Sequence, residues 1–274
     1  MNNGSLGNDT MLKTSTSKSS HTATVRPHLP DPATPGPYRP FSDPQWNEAW
    51  WWLGYTVLLA LFVIVSFRVS PDWYAKWVIP EGYGVLEFSQ FIIALSALAV
   101  AVWLLFNPFV RRRPLVLTVT ILSALTCFYI AGEEMSWGQH FFHWTTPEYW
   151  AAVNRQEETN LHNTYAIFEK VPRAILEIGI VIGGLLIPLA AAFDPRVRAN
   201  RLSLFLPATA LVPTAIGSVA FKLFDMLYQK QYLGELIQRP SEAIESYLYF
   251  FLLAYLIVFA RRIGEIEAET APAH

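Results

Sequence analysis

Six apolar stretches, each near the thickness of a bilayer's hydrocarbon core, constrain this chain more than any other feature. A membrane helix needs about 20 predominantly apolar residues, and runs at roughly 50–68, 84–106, 115–132, 174–193, 203–222 and 243–260 qualify. In lipid every backbone N–H and C=O must be satisfied within the protein, so runs of this length enter as helices. Composition agrees: 53% of the 274 residues are hydrophobic and 15% are charged, where soluble domains carry about a quarter charged residues. The expected fold is all-α, a polytopic membrane bundle of six transmembrane helices over residues 46–263. Membrane lipids are the partners that such a surface implies. The net charge of −2 gives no reason to expect nucleic acid, and no feature names a protein partner. The lone cysteine, Cys127, falls in an apolar run and permits no intrachain disulfide.

Residues 1–45 are rich in Ser, Thr, Asn and Pro. A segment of this kind buries too little apolar surface to offset its ordering entropy, so it is expected to be a disordered tail. It holds no apolar stretch of signal-peptide type. Arginines set the expected orientation. Arg111, Arg112 and Arg113 lie between the second and third runs; Arg196, Arg198 and Arg201 between the fourth and fifth; Arg261 and Arg262 after the sixth. An even number of crossings puts all three clusters on the side of the tail. The expectation is an integral protein of a bacterial inner membrane with both termini cytoplasmic, residues 264–274 forming a short cytoplasmic tail. Trp50, Trp51 and Trp52 at one end of the first run, and Trp73, Tyr74 and Trp77 beyond the other, fit aromatic belts. Pro207, Pro213 and Gly217 predict a kinked fifth helix facing protein.

On the opposite side, directly after the third run, residues 131–163 gather Glu133, Glu134, Gln139, His140, His143, Glu157, Glu158, Asn160, His162 and Asn163 among Trp137, Phe141, Phe142 and Trp144. Lipid does not hold such charges and open water does not need such aromatics. The expectation is an ordered extracytoplasmic cap over 138–163 that returns His162 above the glutamate pair, with Trp137 beneath it. Within the cap, 145–153 reads as a short helix capped by Thr146 and started by Pro147. Counting about 1.5 Å per residue from the arginines, Glu87, Glu177 and Glu245 reach a depth similar to Glu133 and Glu134. Charges at that depth are costly and face a bundle interior or a wet cavity.

Adjacent helical residues point about 100° apart, so Glu133 and Glu134 cannot both face one centre; one serves as acid or base, or both merely mark the wet end of a helix. His162 stands between amides whose side chains can fix its tautomer, or it is structural. His140 and His143, three apart, suit a metal pair or an interfacial pair turned outwards. Glu242 and Glu245 share a face at the start of the sixth helix, as a cation site or as helix-capping acids. Lys222 with Asp225, and Arg173 with Glu177, read as structural ion pairs.

Two motifs, Gly-Glu-Glu-Met-Ser-Trp-Gly-Gln at 132–139 and Glu-Thr-Asn-Leu-His-Asn at 158–163, with Gly84-Val85-Leu86-Glu87 before them, resemble an uncharacterised bacterial family of multi-pass membrane proteins. The resemblance covers the second to sixth helices. It implies a shared architecture and singles out Glu133, Glu134, Trp137, Gln139, Asn160, His162 and Asn163, without naming a reaction. Members of that family lack histidines where this chain has His140 and His143. The Glu pair is also similar to that of membrane-embedded CAAX-type proteases, although the Arg that follows it there and the later helical histidines are missing here. Two functions stay open. One is a membrane hydrolase or transferase acting on lipid or peptide, with Glu133, Glu134 and His162 catalytic, Glu87, Trp137, Gln139, Asn160, Asn163, Glu242 and Glu245 binding, and a divalent metal as a possible cofactor. The other is a non-catalytic protein that binds lipid, cation or partner, or serves transport or assembly.

Overall fold

The chain, described here by a computed structural model over residues 49–198, 202–232 and 234–270, is predominantly helical across that range, with no strand among the described residues. The expected disordered tail at 1–45 and the last four residues lie outside it. Twelve α-helices follow in order: α1 (Ala49–Val69), α2 (Pro71–Trp77), α3 (Val85–Leu105), α4 (Pro108–Arg111), α5 (Pro114–Glu134), α6 (Gln139–Phe142), α7 (Glu148–Val153), α8 (Ala166–Val181), α9 (Ile187–Phe193), α10 (Pro195–Arg198), α11 (Val212–Gln229) and α12 (Pro240–Thr270). Among the described residues five spans are long and apolar enough to cross a bilayer: α3, α5, α8 running into α9, the span ending in α11, and α12. A shorter apolar stretch, Leu53–Val69, lies within α1. The chain is thus a multi-pass helical protein of the membrane.

α12 is the central post. It packs on α3, α11, α8 and α1, while α5 packs on α3. The α3–α5 seam is built from small side chains, Ala94, Ala97 and Ala101 against Ala124, Cys127 and Ala131, all buried. Small residues let helix axes approach where no hydrophobic effect drives them together. Polar side chains tie the same helices across the interior. The Tyr247 hydroxyl donates to the Thr56 carbonyl at 2.8 Å, and Gln90 Nε2 donates to the Glu242 carbonyl and the Ser246 hydroxyl at 2.8 and 3.0 Å. Leu58, Leu61, Ile92, Trp103, Leu122 and Leu125 point outwards and are exposed, as a lipid-facing surface requires.

Three boundaries differ from the sequence reading. The fourth span begins at Ala166, so Pro172 sits inside α8 rather than before it. Its missing N–H leaves the Phe168 carbonyl without a helical donor, and both residues border the cavity described below. A π-turn, Ile182–Leu186, joins α8 to α9. The fifth span is broken rather than kinked: single 3₁₀ turns at Ser203–Phe205 and Thr209–Leu211 precede α11, with Leu206 extended (φ −70°, ψ 133°). A residue before proline is pushed from helical to extended backbone, which Pro207 enforces. The freed carbonyls are covered, as membrane depth demands. Arg262, 3% exposed, donates Nη1 to the carbonyls of Ser203, Leu204 and Leu206, and the Tyr255 hydroxyl donates to that of Phe205. Last, α12 continues past 260 and 263 to Thr270, where the Asn107 amide reaches Glu267 at 2.8 Å. Of the second aromatic group, Trp73 and Trp77 are half-exposed, but Tyr74 is fully buried with its hydroxyl on the Gln238 carbonyl.

Candidate functional site

α5 ends at Glu134, and the chain then turns through left-handed backbone at Ser136 (φ 45°), Trp137 (φ 56°) and Gly138 (φ 103°). Only the glycine adopts this freely; each L residue there costs about 1–2 kcal/mol. Strain of this kind persists where the surroundings over-determine it, and here they do. The buried Ser136 hydroxyl donates to Glu158 Oε2 at 2.6 Å and accepts from Asn160 Nδ2 at 3.0 Å, with His140 Nε2 at 3.1 Å. The Ser136 carbonyl accepts from the Thr159 hydroxyl at 3.0 Å. The Trp137 indole folds back over Gly132, where a Cβ would stand 2.8 Å from the ring, and donates to Glu133 Oε1 at 2.6 Å. Trp137 is not under the cap, however. It is 40% exposed on the flank, edge-on to Phe128.

The segment from α6 through α7 to Thr164 forms the expected cap, and amides hold it closed. Gln139 accepts from the N–H and hydroxyl of Thr159 at 2.8 Å each and donates to the Thr146 hydroxyl at 2.7 Å. Asn160 donates to Glu158 and receives Asn154 Nδ2 at 2.7 Å. Asn163, through its side chain on Gln156 and its carbonyl on the Arg155 N–H, closes the same loop. These three are therefore cap-builders. Thr146 does not cap α7: its hydroxyl donates to the Glu157 carbonyl, and Pro147 occupies the capping position. The two histidines do not pair. His143 is an exposed left-handed turn residue, while His140 lies 3.3 Å from Glu158 in space cleared by Gly82, where a Cβ would strike its ring. Burial alone would raise the Glu158 carboxyl; the hydrogen bonds from His140 and Ser136 bring it below the ordinary glutamate value.

The glutamate pair splits as helical geometry requires. Glu133, 4% exposed, turns to the cap. Its Oε2 receives the N–H groups of Leu161 and His162 at 2.8 and 2.7 Å and lies 3.1 Å from His162 Nδ1. Glu133, not Asn160 or Asn163, thus fixes the His162 ring. Glu134 turns to α12 and accepts from the Tyr249 hydroxyl at 2.8 Å. Between the two, a cavity of about 70 Å³ is lined by both glutamates, His162, Arg173, Glu245 and Tyr249, with Tyr129, Phe168 and Leu176 among its apolar walls. Arg173 bonds Glu245 and Glu177 at 3.0 Å each, and Lys222 takes the same Glu177 oxygen at 2.9 Å. Lys222 accordingly pairs with Glu177, and Asp225 accepts from Gln229 instead.

Glu87 and Glu242 do not line this cavity. Glu87 accepts from the Gly82 N–H, closing the turn before α3, and Glu242 pairs with Arg239 at 2.9 Å, which also holds Glu81. Tyr249 went unpredicted, although it stands four residues after Glu245 on the same helix face. Arg173 was read only as the partner of Glu177. Among the described residues no group of three or more His, Cys, Asp or Glu is placed to hold a metal ion. Searched against family models, curated proteins and solved structures, the chain finds no match.

Proposed function

We propose that this membrane protein is a hydrolase or transferase acting on a lipid or peptide at the face bearing the cap, with His162 as general base. The observation that carries the reading is the Glu133–His162 contact at 3.1 Å on a cavity shared with Glu134 and Arg173. A carboxylate on Nδ1 fixes the imidazole so that Nε2 is the nitrogen left to take a proton. Among the described residues the cavity lining contains no Ser, Thr or Cys, so water, or an acceptor hydroxyl in a transferase, is the nucleophile. Its oxygen attacks the substrate carbonyl or phosphorus while its proton passes to Nε2. The bond to the leaving group then breaks, and Nε2 returns that proton to the departing atom. Glu134, steadied by Tyr249, positions the nucleophile, and Arg173 faces the negative charge that develops.

The test is turnover in proteoliposomes made from a bacterial membrane-lipid extract with added peptides, followed by mass spectrometry. Loss of a general base costs typically 10²–10⁴-fold, so His162→Ala is expected to abolish conversion and Glu134→Gln to reduce it strongly, with unchanged melting curves. Conversion at the unsubstituted rate by both variants would overturn the assignment. The same reading places the chain in a bacterial inner membrane, crossing six times, with the arginine clusters and both termini in the cytoplasm and the cap outside. Reporter fusions after Arg113, Gln231 and Thr270 are expected to read inside, outside and inside; an outside reading at Thr270 would overturn the cytoplasmic C-terminus.

A further inference from the structure

The small cavity is not isolated. On one side it shares Arg173 with a polar basin of about 540 Å³, whose walls include Lys170, Glu177, Lys222, Asp225 and Ser241. On the other it shares Leu176 and Leu248 with an apolar groove of about 350 Å³, which continues along Gly179, Phe251, Leu252 and Tyr255. The groove runs about 10 Å down α12 from Leu248 to Tyr255, towards the membrane interior, and opens sideways where Gly179 is exposed. Its floor is the break before α11, through Phe205 and Pro207. Polar basin, reactive cavity and apolar groove therefore adjoin one another, with the cavity between the other two, on helices whose outer surfaces face lipid.

The charge in the basin selects the ligand. Three cations line it beside two acids, Glu177 held by Arg173 and Lys222 and Asp225 bonded by Gln229, while Arg173 also holds Glu245 at 3.0 Å. Lys170 has no acidic partner among the described residues. Lys170 is thus the cation left to meet an anionic group of a ligand, and its ammonium suits phosphate oxygens. The volumes of basin and groove both fall in the range of ligand pockets. We infer that the three voids form one site for a membrane amphiphile with a phosphate headgroup. The headgroup lies against Lys170 and Lys222, the bond joining it to the lipid body crosses the cavity between His162 and Glu134, and one hydrocarbon chain fills the groove. This inference rests on the catalytic reading above and names its substrate class.

Photolabelling tests it apart from turnover. The full chain carrying Glu134→Gln, in nanodiscs, is irradiated with trace phosphatidic acid bearing a diazirine in its acyl chain, beside a diacylglycerol with the same chains. Labelled peptides are then mapped. Label from phosphatidic acid is expected in 175–180 and 248–255, at about tenfold the level given by diacylglycerol, a difference of about 1.4 kcal/mol. Gly179→Leu projects into the groove, where a Cβ meets nothing within 4 Å, so it is expected to fold and to remove the label. The exposed Lys170→Glu is expected to lower it without touching the groove. Label spread evenly over lipid-facing residues such as Leu122 and Leu125, or unaffected by both substitutions, would overturn the site, as would equal labelling by diacylglycerol. Specific label with no turnover in any assay leaves the amphiphile site standing and sinks the catalytic reading. Turnover abolished by His162→Ala without specific label does the reverse.

Discussion

At Glu133 one carboxylate receives a donor from its own helix end, the Trp137 indole, and three from the far side of the cap, two backbone N–H groups and the His162 ring. Glu133→Ala would strand those donors, at about 1–3 kcal/mol for each that stays buried and finds no water. The expected outcome is a loss on the order of 3 kcal/mol in stability, and hydrogen exchange across 154–163 rising before the helices melt. Glu133→Gln keeps one accepting oxygen and is expected to lose less; equal stability for the alanine variant would show that the clasp is not what closes the cap. The sequence marks these residues because charges at a membrane boundary need a reason. It does not say which group holds His162. That pairing depends on a left-handed turn of three residues, and of Ser136, Trp137 and Gly138 only the glycine announces positive φ. The adjacent amides Asn160 and Asn163 looked like natural partners, yet they serve the loop's own backbone.

Among the elements, the apolar runs of α3 and α5 could be placed to within a residue or two, since each is one unbroken apolar run of bilayer length. Prolines misled in both directions. Pro172 is tolerated inside α8 beside a cavity, while Pro207 breaks its span because Arg262 and Tyr255 wait to receive the carbonyls. Those partners lie 50 and 59 residues away, beyond any local pattern. The cap itself was legible as an element, and one of its ties is sensitive to pH. Glu158 is held below the ordinary value of 4.5, so its contribution is present above that value and is lost as pH falls through the lower, folded one. The cap is expected to loosen below about pH 4.5 while the helices persist, read as exchange across 154–163 after correction for intrinsic rates. Glu158→Gln should flatten that dependence; a dependence unchanged in this variant would assign it to other groups.

For the whole molecule, depth was readable and direction was not. Counting residues put Glu87, Glu177 and Glu245 at one level, but of these only Glu245 turns to the cavity, because each helix presents the face that its packing leaves free. The same count has a further consequence. Arg262, locked onto the broken span, and Glu245, locked onto Arg173, stand 17 residues apart on one unbroken helix, about 25 Å along its axis. A hydrocarbon core of about 30 Å therefore leaves the acidic end a few ångströms below the surface, and α12 works as a ruler of fixed length. The bilayer is the part that varies. In thicker bilayers the mismatch costs fractions of a kcal/mol per Å, and the mouth of the cavity sinks; in thinner ones it stands clear. A cysteine at the exposed Tyr165 is expected to react with a water-soluble maleimide several-fold more slowly in long-chain than in short-chain lipids, with Cys127 silent because it is buried. Equal rates would mean that the protein tilts or the lipid thins to meet it. Otherwise membrane thickness itself, which differs among membranes by a few ångströms, meters how much water reaches His162.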